Sequence, residues 1–307
     1  MSAPLVSIIS AVFNKAGVLA ETLRLAREQR GLKDSEIEFV FVDDCSTDGS
    51  LALLEAEAVS DPRVRVFASS QNAGPSVAFN RAAKEARGQY LLAIDADDML
   101  PANAVRFLLD CALRLDAGLV LGRSRRGEGC PDIPENADVS LIEDALAFVA
   151  ERKIVRMGFL CKRDIWLRAG GADESVFIQD QSLPLRLGAA VGRLAWVDAF
   201  VYHLRPSGEE NLSRNVLQQH HDRFFALRPF LSRADVSPAA RKAIMRQVVS
   251  SLWKLDRDRG VVFPVLSSAG RVYLLNRLLG VEPSSVVLDR FGRLLASLNG
   301  IRRPEIS

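Results

Sequence analysis

The chain opens as an alternation of short apolar runs and amphipathic stretches. Residues 5–13, 37–42, 64–68 and 90–94 are apolar, β-rich runs almost free of charge. Such runs are the mark of strands buried on both faces. Between the first two, Val18, Leu19, Thr22, Leu23 and Ala26 recur at helical spacing, and residues 51–59 make a second helix. Pro75 opens a third helix, which runs to Arg87 and closes at Gly88. Strand and helix therefore alternate from the start, which predicts an α/β fold: a mostly parallel, Rossmann-like sheet flanked by helices, with right-handed crossovers.

Further along, the pattern predicts a helix over 101–115 with Pro101 at its first position, a short strand over 119–122 and an irregular loop over 123–137. A helix over 141–149, a strand over 157–161 and a helix over 163–169 stopped by Gly170-Gly171 follow. Pro184 is placed near the start of a short helix, residues 194–203 form a strand, and 204–215 form a polar loop carrying Arg205, Asn211 and Arg214. After Val216 helical periodicity takes over, with a helix over 239–255. Val287, Phe291, Leu294 and Leu298 step by three and four and so share one apolar face. The expected organisation is a domain of alternating strands and helices over 1–215 and a helical extension over 216–307, for packing or oligomerisation.

Two of the predicted strands end in acids: Asp43 and Asp44 in one case, Asp95, Asp97 and Asp98 in the other. In open α/β sheets ligands bind beyond the carboxyl ends of the strands. Clustered carboxylates suit a hard divalent ion such as Mg2+ or Mn2+, which bridges one or two of them to a substrate phosphate. The alternative is a solvated acidic turn that caps the next helix. No Gly-x-Gly-x-x-Gly follows the first strand, so the dinucleotide fingerprint is missing.

Composition adds limits. The chain has 307 residues, 48% hydrophobic and 25% charged, which is ordinary for a globular protein. No apolar run approaches the roughly 20 residues of a membrane span, and the N-terminus does not read as a signal peptide. The four cysteines are far apart, which argues against a zinc or disulfide framework and for a reducing cytoplasm. Net charge is +2, yet residues 205–307 carry +8 and residues 1–204 carry −6. That asymmetry reads as surface variation, or as a basic face meeting an anionic partner such as lipid head groups at the inner side of a membrane.

Several stretches together resemble family 2 glycosyltransferases. They are Val6-Ser-Ile-Ile-Ser-Ala-Val-Phe-Asn14, Val42-Asp-Asp-Cys-Ser-Thr-Asp-Gly-Ser50, Asn72-Ala-Gly-Pro-Ser-Val-Ala-Phe-Asn80 and Gly88-Gln-Tyr-Leu-Leu-Ala-Ile-Asp-Ala-Asp-Asp98, with Gly170-Gly-Ala-Asp-Glu174 and Asp180 beyond them. The resemblance covers about residues 4–215 and implies a GT-A fold. It also implies transfer of one sugar from a nucleotide diphosphate sugar to an acceptor hydroxyl, with inversion and with Mn2+ or Mg2+. On it, Asp180 is the general base. Asp44 reads the base, and Val12, Phe13, Asn14, Asn72, Gly74 and Asn80 line the donor pocket. Asp95 and Ala96 lie at the ribose or metal shell, Asp97 and His203 bind the metal, and Arg205 and Arg214 face the diphosphate. The implied partners are the donor and a saccharide or lipid-linked acceptor. Nucleic acid is not among them, while peripheral membrane contact and a homodimer through the C-terminal helices stay open.

Each role has a plainer counterpart. Asp43 or Asp44 caps the helix near Ser50, Asn14 is a turn residue, Asp98 supports the turn and Asp180 is a helix N-cap. His203 is a structural hydrogen-bonder, and Lys15 is solvated. The chain also departs from the family at three places: Gln179 precedes Asp180 where Glu is common, Phe79 replaces an Arg, and Cys45 replaces a Gly. Processive members carry membrane helices and a Gln-x-x-Arg-Trp motif, and neither is visible here. The alternatives are an inactive scaffold that keeps the same fold and, fitting less well, a receiver-like domain.

Overall fold

A computed structural model describes residues 3–206 and 215–302; the Asn211 and Arg214 expectations lie outside the described residues. The N-terminal half alternates as the pattern predicts: β1 (Val6–Val12), α1 (Ala16–Arg27), β2 (Ile37–Asp43), α2 (Ser50–Ser60), β3 (Val64–Ala68), α3 (Pro75–Glu85) and β4 (Tyr90–Ala93). All seven positions of β2 are buried, as a central strand covered on both faces requires. Then come α4 (Ala104–Arg114), β5 (Leu119–Arg126), β6 (Val139–Ile142), α5 (Ala145–Glu151), β7 (Phe159–Lys162), α6 (Arg163–Ala169), α7 (Gln179–Val191) and β8 (Leu194–Leu204). The extension holds α8 (Val216–Leu227), α9 (Pro238–Asp258), α10 (Ser268–Leu279) and α11 (Ser285–Ala296). Among the described residues no helix is long and apolar enough to cross a membrane.

Among the described residues the strands form one sheet in the order β3-β2-β1-β4-β7-β5-β8-β6. The four N-terminal strands are all parallel. β7 runs antiparallel to both β4 and β5, and β8 is parallel to β5. The carboxyl ends of β1, β2, β4 and β8 therefore open on one rim. Across it Val12 is level with Asp43, and a two-residue bridge between Met99 and His203 fastens the acidic loop after β4 to the end of β8.

Several expectations shift. Residues 123–126 continue β5 rather than starting a loop, because they pair with Phe200–Leu204 across a bulge. The start of the predicted 141–149 helix belongs to edge strand β6, and the helix begins at Ala145, capped by the Asp144 carboxylate on the Ala147 N–H. Pro101 lies ahead of its helix, which starts at Ala104. Pro184 sits inside α7 rather than near the start of a short helix. On α11 the buried positions are Leu288, Gly292 and Leu295, so the packed face is rotated from the expected stripe and leaves Leu294 exposed.

The core is continuous across residue 215. Phe224 and Leu227 of α8 and Ile244, Val248 and Leu252 of α9 belong to the same buried cluster as β1 and β4. The change at Val216 is thus a change of element type within one core.

Candidate active site

The acidic loop is held from below by β8. The Asp95 N–H donates to the Tyr202 hydroxyl at 2.9 Å, and Tyr202 also bonds the Asp98 carboxyl. Asp98 further accepts the Arg205 N–H at 3.1 Å. Asp98 therefore faces inward and supports the turn. Burial, with Asp97 adding repulsion, pushes its carboxyl up to about 6. Tyr202 fits because Gly158 leaves room for it: a Cβ on Gly158, whose φ is +78°, would stand 2.2 Å from the ring.

Asp95 and Asp97 face the rim. Asp97 pairs with the Lys15 ammonium at 2.5 Å. Lys15 is therefore part of the acid cluster and not simply solvated, because β1 ends beside β4 and delivers the residue there. Asp95 has its carboxyl raised well above the usual range, first by burial and then by Asp98, Asp97 and Asp180, with Lys15 opposing. Asp180 comes near this cluster through its neighbour Gln179, which bonds Asp95.

Asp180 enters on the first turn of α7. It does not cap the helix, since Ile178 is the N-cap residue and has no side-chain cap bond. Burial pushes its carboxyl up to about 6, with Asp222 adding to the rise and Arg223 opposing it. One of its buried oxygens has no partner. Its neighbour Gln179 donates from Nε2 to Asp95 Oδ1 at 2.9 Å. The amide departs from the family's Glu in a useful way: an ionised Glu only accepts, and would add a carboxylate to the cluster. Behind α7, Asp222 of α8 accepts the Ile178 N–H at 2.8 Å.

The other side of the rim is a network of turns. Asn14, at φ +53°, donates its N–H to Ser46 Oγ and accepts the Thr47 N–H on Oδ1. The Val12 carbonyl accepts the Asp44 N–H, and Phe13 stays partly exposed. Neither Asp43 nor Asp44 caps α2. Asp43 accepts the Ser46 N–H, and Asp48 takes the capping bonds from Ser50 and Ala16. Cys45 adopts φ +63° in this loop, a conformation that explains a usual Gly. Asp44 is buried, accepts the Ala73 and Gly74 N–H groups at 3.0 and 2.8 Å, and is raised by burial. Gly74, at φ +90°, lies against the Phe177 ring, so α3 and the approach to α7 meet there. Asn72 is exposed beside this turn, and Ala96 is buried beneath the acid loop.

Asn80 is buried, and its amide bonds the Ala172 N–H and C=O and Glu174, so it joins α3 to the 170–174 turn. His203 lies at the end of β8, where its Nδ1 is 3.0 Å from Arg125 Nε and its buried Nε2 has no partner. Burial and the Arg125 charge also pull its pKa below the ordinary value. Arg205, whose backbone N–H holds Asp98, keeps its guanidinium Nε and Nη2 buried with no partner. A cavity of about 510 Å³ lies elsewhere, between α8, α9 and the start of α11, lined by Phe225, Met245 and Leu288.

Residues 7–159 match the family model described as Glycosyl transferase family 2. This first half of the chain belongs to that family. The chain is similar to the succinoglycan biosynthesis protein ExoO of Rhizobium meliloti (strain 1021), at 28% identity over 80% of this chain and 73% of that protein. It is also similar to the putative teichuronic acid biosynthesis glycosyltransferase TuaG of Bacillus subtilis (strain 168), at 35% identity over 31% of this chain, and it spans only 36% of that protein's length. Among solved structures, S. aureus TarS 1–349 in complex with UDP-GlcNAc aligns with a TM-score of 0.68 at 19% identity, over 89% of this chain and 79% of that one. The mannosyltransferase PcManGT from Pyrobaculum calidifontis, in complex with GDP-Man and Mn2+, aligns at 0.58 and 18% over 97% and 82%. These two likenesses establish the GT-A type fold.

A divalent ion is implied by the family resemblance, and the donor set can be tested for it. Among the described residues no three His, Cys, Asp or Glu side chains gather to hold an ion. Asp95 and Asp97 do offer hard oxygens whose mutual repulsion a cation relieves. The residues therefore fit an ion shared with a ligand's phosphates rather than an all-protein cage.

Sequence reasoning missed Tyr202 as the support of the loop and the pair Asp222–Arg223 behind Asp180. Neither carries a local signal, since both depend on which later element folds back onto the rim.

Proposed function

We propose that this chain transfers one sugar from a nucleotide diphosphate sugar to an acceptor hydroxyl, with inversion. The observation that carries the reading is Asp180: a buried carboxyl raised to about 6, with one oxygen unpaired, electrostatically coupled to the Asp95–Asp97 cluster. A base poised near neutral pH can accept the proton of an attacking alcohol. Asp44, Asn14 and the backbone at Val12 and Phe13 form the nucleoside side of the same rim, with Asn72 and Gly74 beside them. Asp97 and Asp95 would hold Mn2+ or Mg2+, which when bound would supply positive charge toward the departing diphosphate. Lys15 and Arg205 place cations beside that group, where negative charge develops. Gln179 donates to Asp95 and so ties it to the first turn of α7, which carries Asp180.

The acceptor proposed is a saccharide or a lipid-linked saccharide, met on the α7 side where the 216–307 extension packs. The four free cysteines suit a cytoplasmic setting. The test is thermal unfolding across UDP- and GDP-sugars, with and without Mn2+. Donor at 100 times its dissociation constant should add about 2.7 kcal/mol of stability. Asp97→Ala should abolish that gain, and Asp180→Asn should keep it while removing turnover. A panel with no stabilising donor would overturn the proposal.

A further inference from the structure

Exposed large apolar residues concentrate around α10. The loop before it exposes Val262, Phe263 and Leu266, its last turns expose Leu275, Leu278 and Leu279, and Val281 and Val286 follow in the linker and the first turn of α11. Phe263, Leu278, Leu279 and Val286 are 71%, 75%, 71% and 70% accessible, values that leave these side chains nearly uncovered. Leu275, Leu278 and Leu279 are spaced to share one helix face, and Arg271 stands one turn ahead of Leu275 on it. On α11, Arg290 stands one turn beyond Val286, with Arg293 next to Leu294.

The two helices are anchored by their other sides. Ala269 and Gly270 of α10 are buried, and Tyr273 stacks on Trp253 of α9 at 5.1 Å. Leu288, Gly292 and Leu295 hold α11. The outer side thus combines apolar residues with the exposed Arg271, Arg277, Arg290 and Arg293. The acids of this stretch are Glu282 and Asp289, and Asp289 is already paired with Arg228.

This composition selects among occupants. A two-fold dimer through the patch would gather the arginines of both copies into one interface, with Glu282 as the nearest unspent acid. An anionic surface that also accepts apolar side chains answers both features at once. We propose that α10, its flanking loops and the start of α11 dock on an anionic phospholipid bilayer. Phe263, Leu278, Leu279 and Val286 enter the boundary between head groups and acyl chains, and the four arginines meet lipid phosphates. The surface is separate from the acid cluster, so the proposal does not rest on the sugar-transfer reading.

The test is flotation of the whole chain with vesicles of phosphatidylcholine alone, or with one third phosphatidylglycerol. Binding should be at least about tenfold stronger to the anionic vesicles and should fade in high salt. The double variants Leu278→Glu/Leu279→Glu and Arg277→Glu/Arg290→Glu should each lower it about tenfold, with melting temperature and nucleotide response unchanged. The proposal is overturned by absence of binding to either vesicle, by equal binding to both, or by light scattering that shows a dimer dissolved by the leucine variant. It is also overturned if both double variants retain their folded melting temperature and full vesicle binding.

Discussion

Replacing Asp180 by Asn should stabilise the empty protein while abolishing turnover. Burial raises the Asp180 carboxyl from 3.8 to about 6. At about 1.36 kcal/mol per pKa unit, the ionised side chain costs the folded state about 3 kcal/mol at pH 7.5. The sign follows from the direction. A carboxyl whose folded pKa lies above its unfolded one contributes stability below pH 3.8, and that contribution is lost as pH rises through about 6. Asparagine has no proton to lose, so Asp180→Asn should gain about 2 kcal/mol more, relative to the parent, at pH 7.5 than at pH 4. The attraction of Arg223, itself pulled down to about 10 by burial, opposes the rise and is already contained in the value of about 6. The assay is urea unfolding followed by circular dichroism at the two pH values. A difference between variant and parent that does not change with pH would refute the reasoning, since it would mean that Asp180 is not a desolvated charge.

Two further substitutions probe the supports of the cluster. Gln179→Glu replaces a buried amide donor on Asp95 with a like charge, so it should lose at least the roughly 1.5–3 kcal/mol of a hydrogen bond to a charged group at pH 7.5. Part of that loss should return at pH 5, and urea unfolding indistinguishable from the parent at both would remove Gln179 from the argument. Gly158→Ala forces a Cβ into the Tyr202 ring at positive φ, so it should cost about 1–3 kcal/mol or more and weaken nucleotide-sugar binding by loosening Asp95 and Asp98. A variant with the parent's melting temperature would show that Tyr202 yields without effect.

How far the sequence could be read depends on where each element sits in the sheet. β1, β2 and β4 were legible because a strand covered on both faces is almost wholly apolar and its run stops where the sheet stops; the exception in β2, Glu38, is buried against the Ser7 hydroxyl and the Arg87 N–H. β5 was half legible for the same reason. Its second half, Gly122–Arg126 in part, lies at the rim and pairs with β8 there, so its Arg-Ser-Arg-Arg sequence reads as loop. β6 is an edge strand of four residues with no fully buried position, too short and too exposed to show a period. Pro184 misled because a proline inside a helix usually breaks it; in α7 it is buried. The acids were legible as chemistry, since carboxylates at strand ends need an explanation. Lys15 was not, because a lysine after a strand looks solvated until the register brings Asp97 to it.

The extension illustrates the difference between a change of pattern and a boundary of function. The pattern changes at Val216, and a division there looks natural. Yet the peptide that carries the proposed base is held by α8. Asp222 accepts the Ile178 N–H, and Asp222 is itself fixed by Gln218 and by His221, whose Nδ1 lies 2.7 Å away. Arg223 next to it donates to the Gln181 carbonyl and to Gln247 of α9, whose amide reaches the Ala150 carbonyl. Each of these groups is buried, so each lost partner would leave an unsatisfied polar atom at a cost of about 1–3 kcal/mol. The first turn of α7 therefore takes its position, and Asp180 much of its electrostatic setting, from residues that follow position 215. For this chain α8 and α9, which follow the strands in sequence, form the back wall of the candidate site, and the acids at the strand ends form its front.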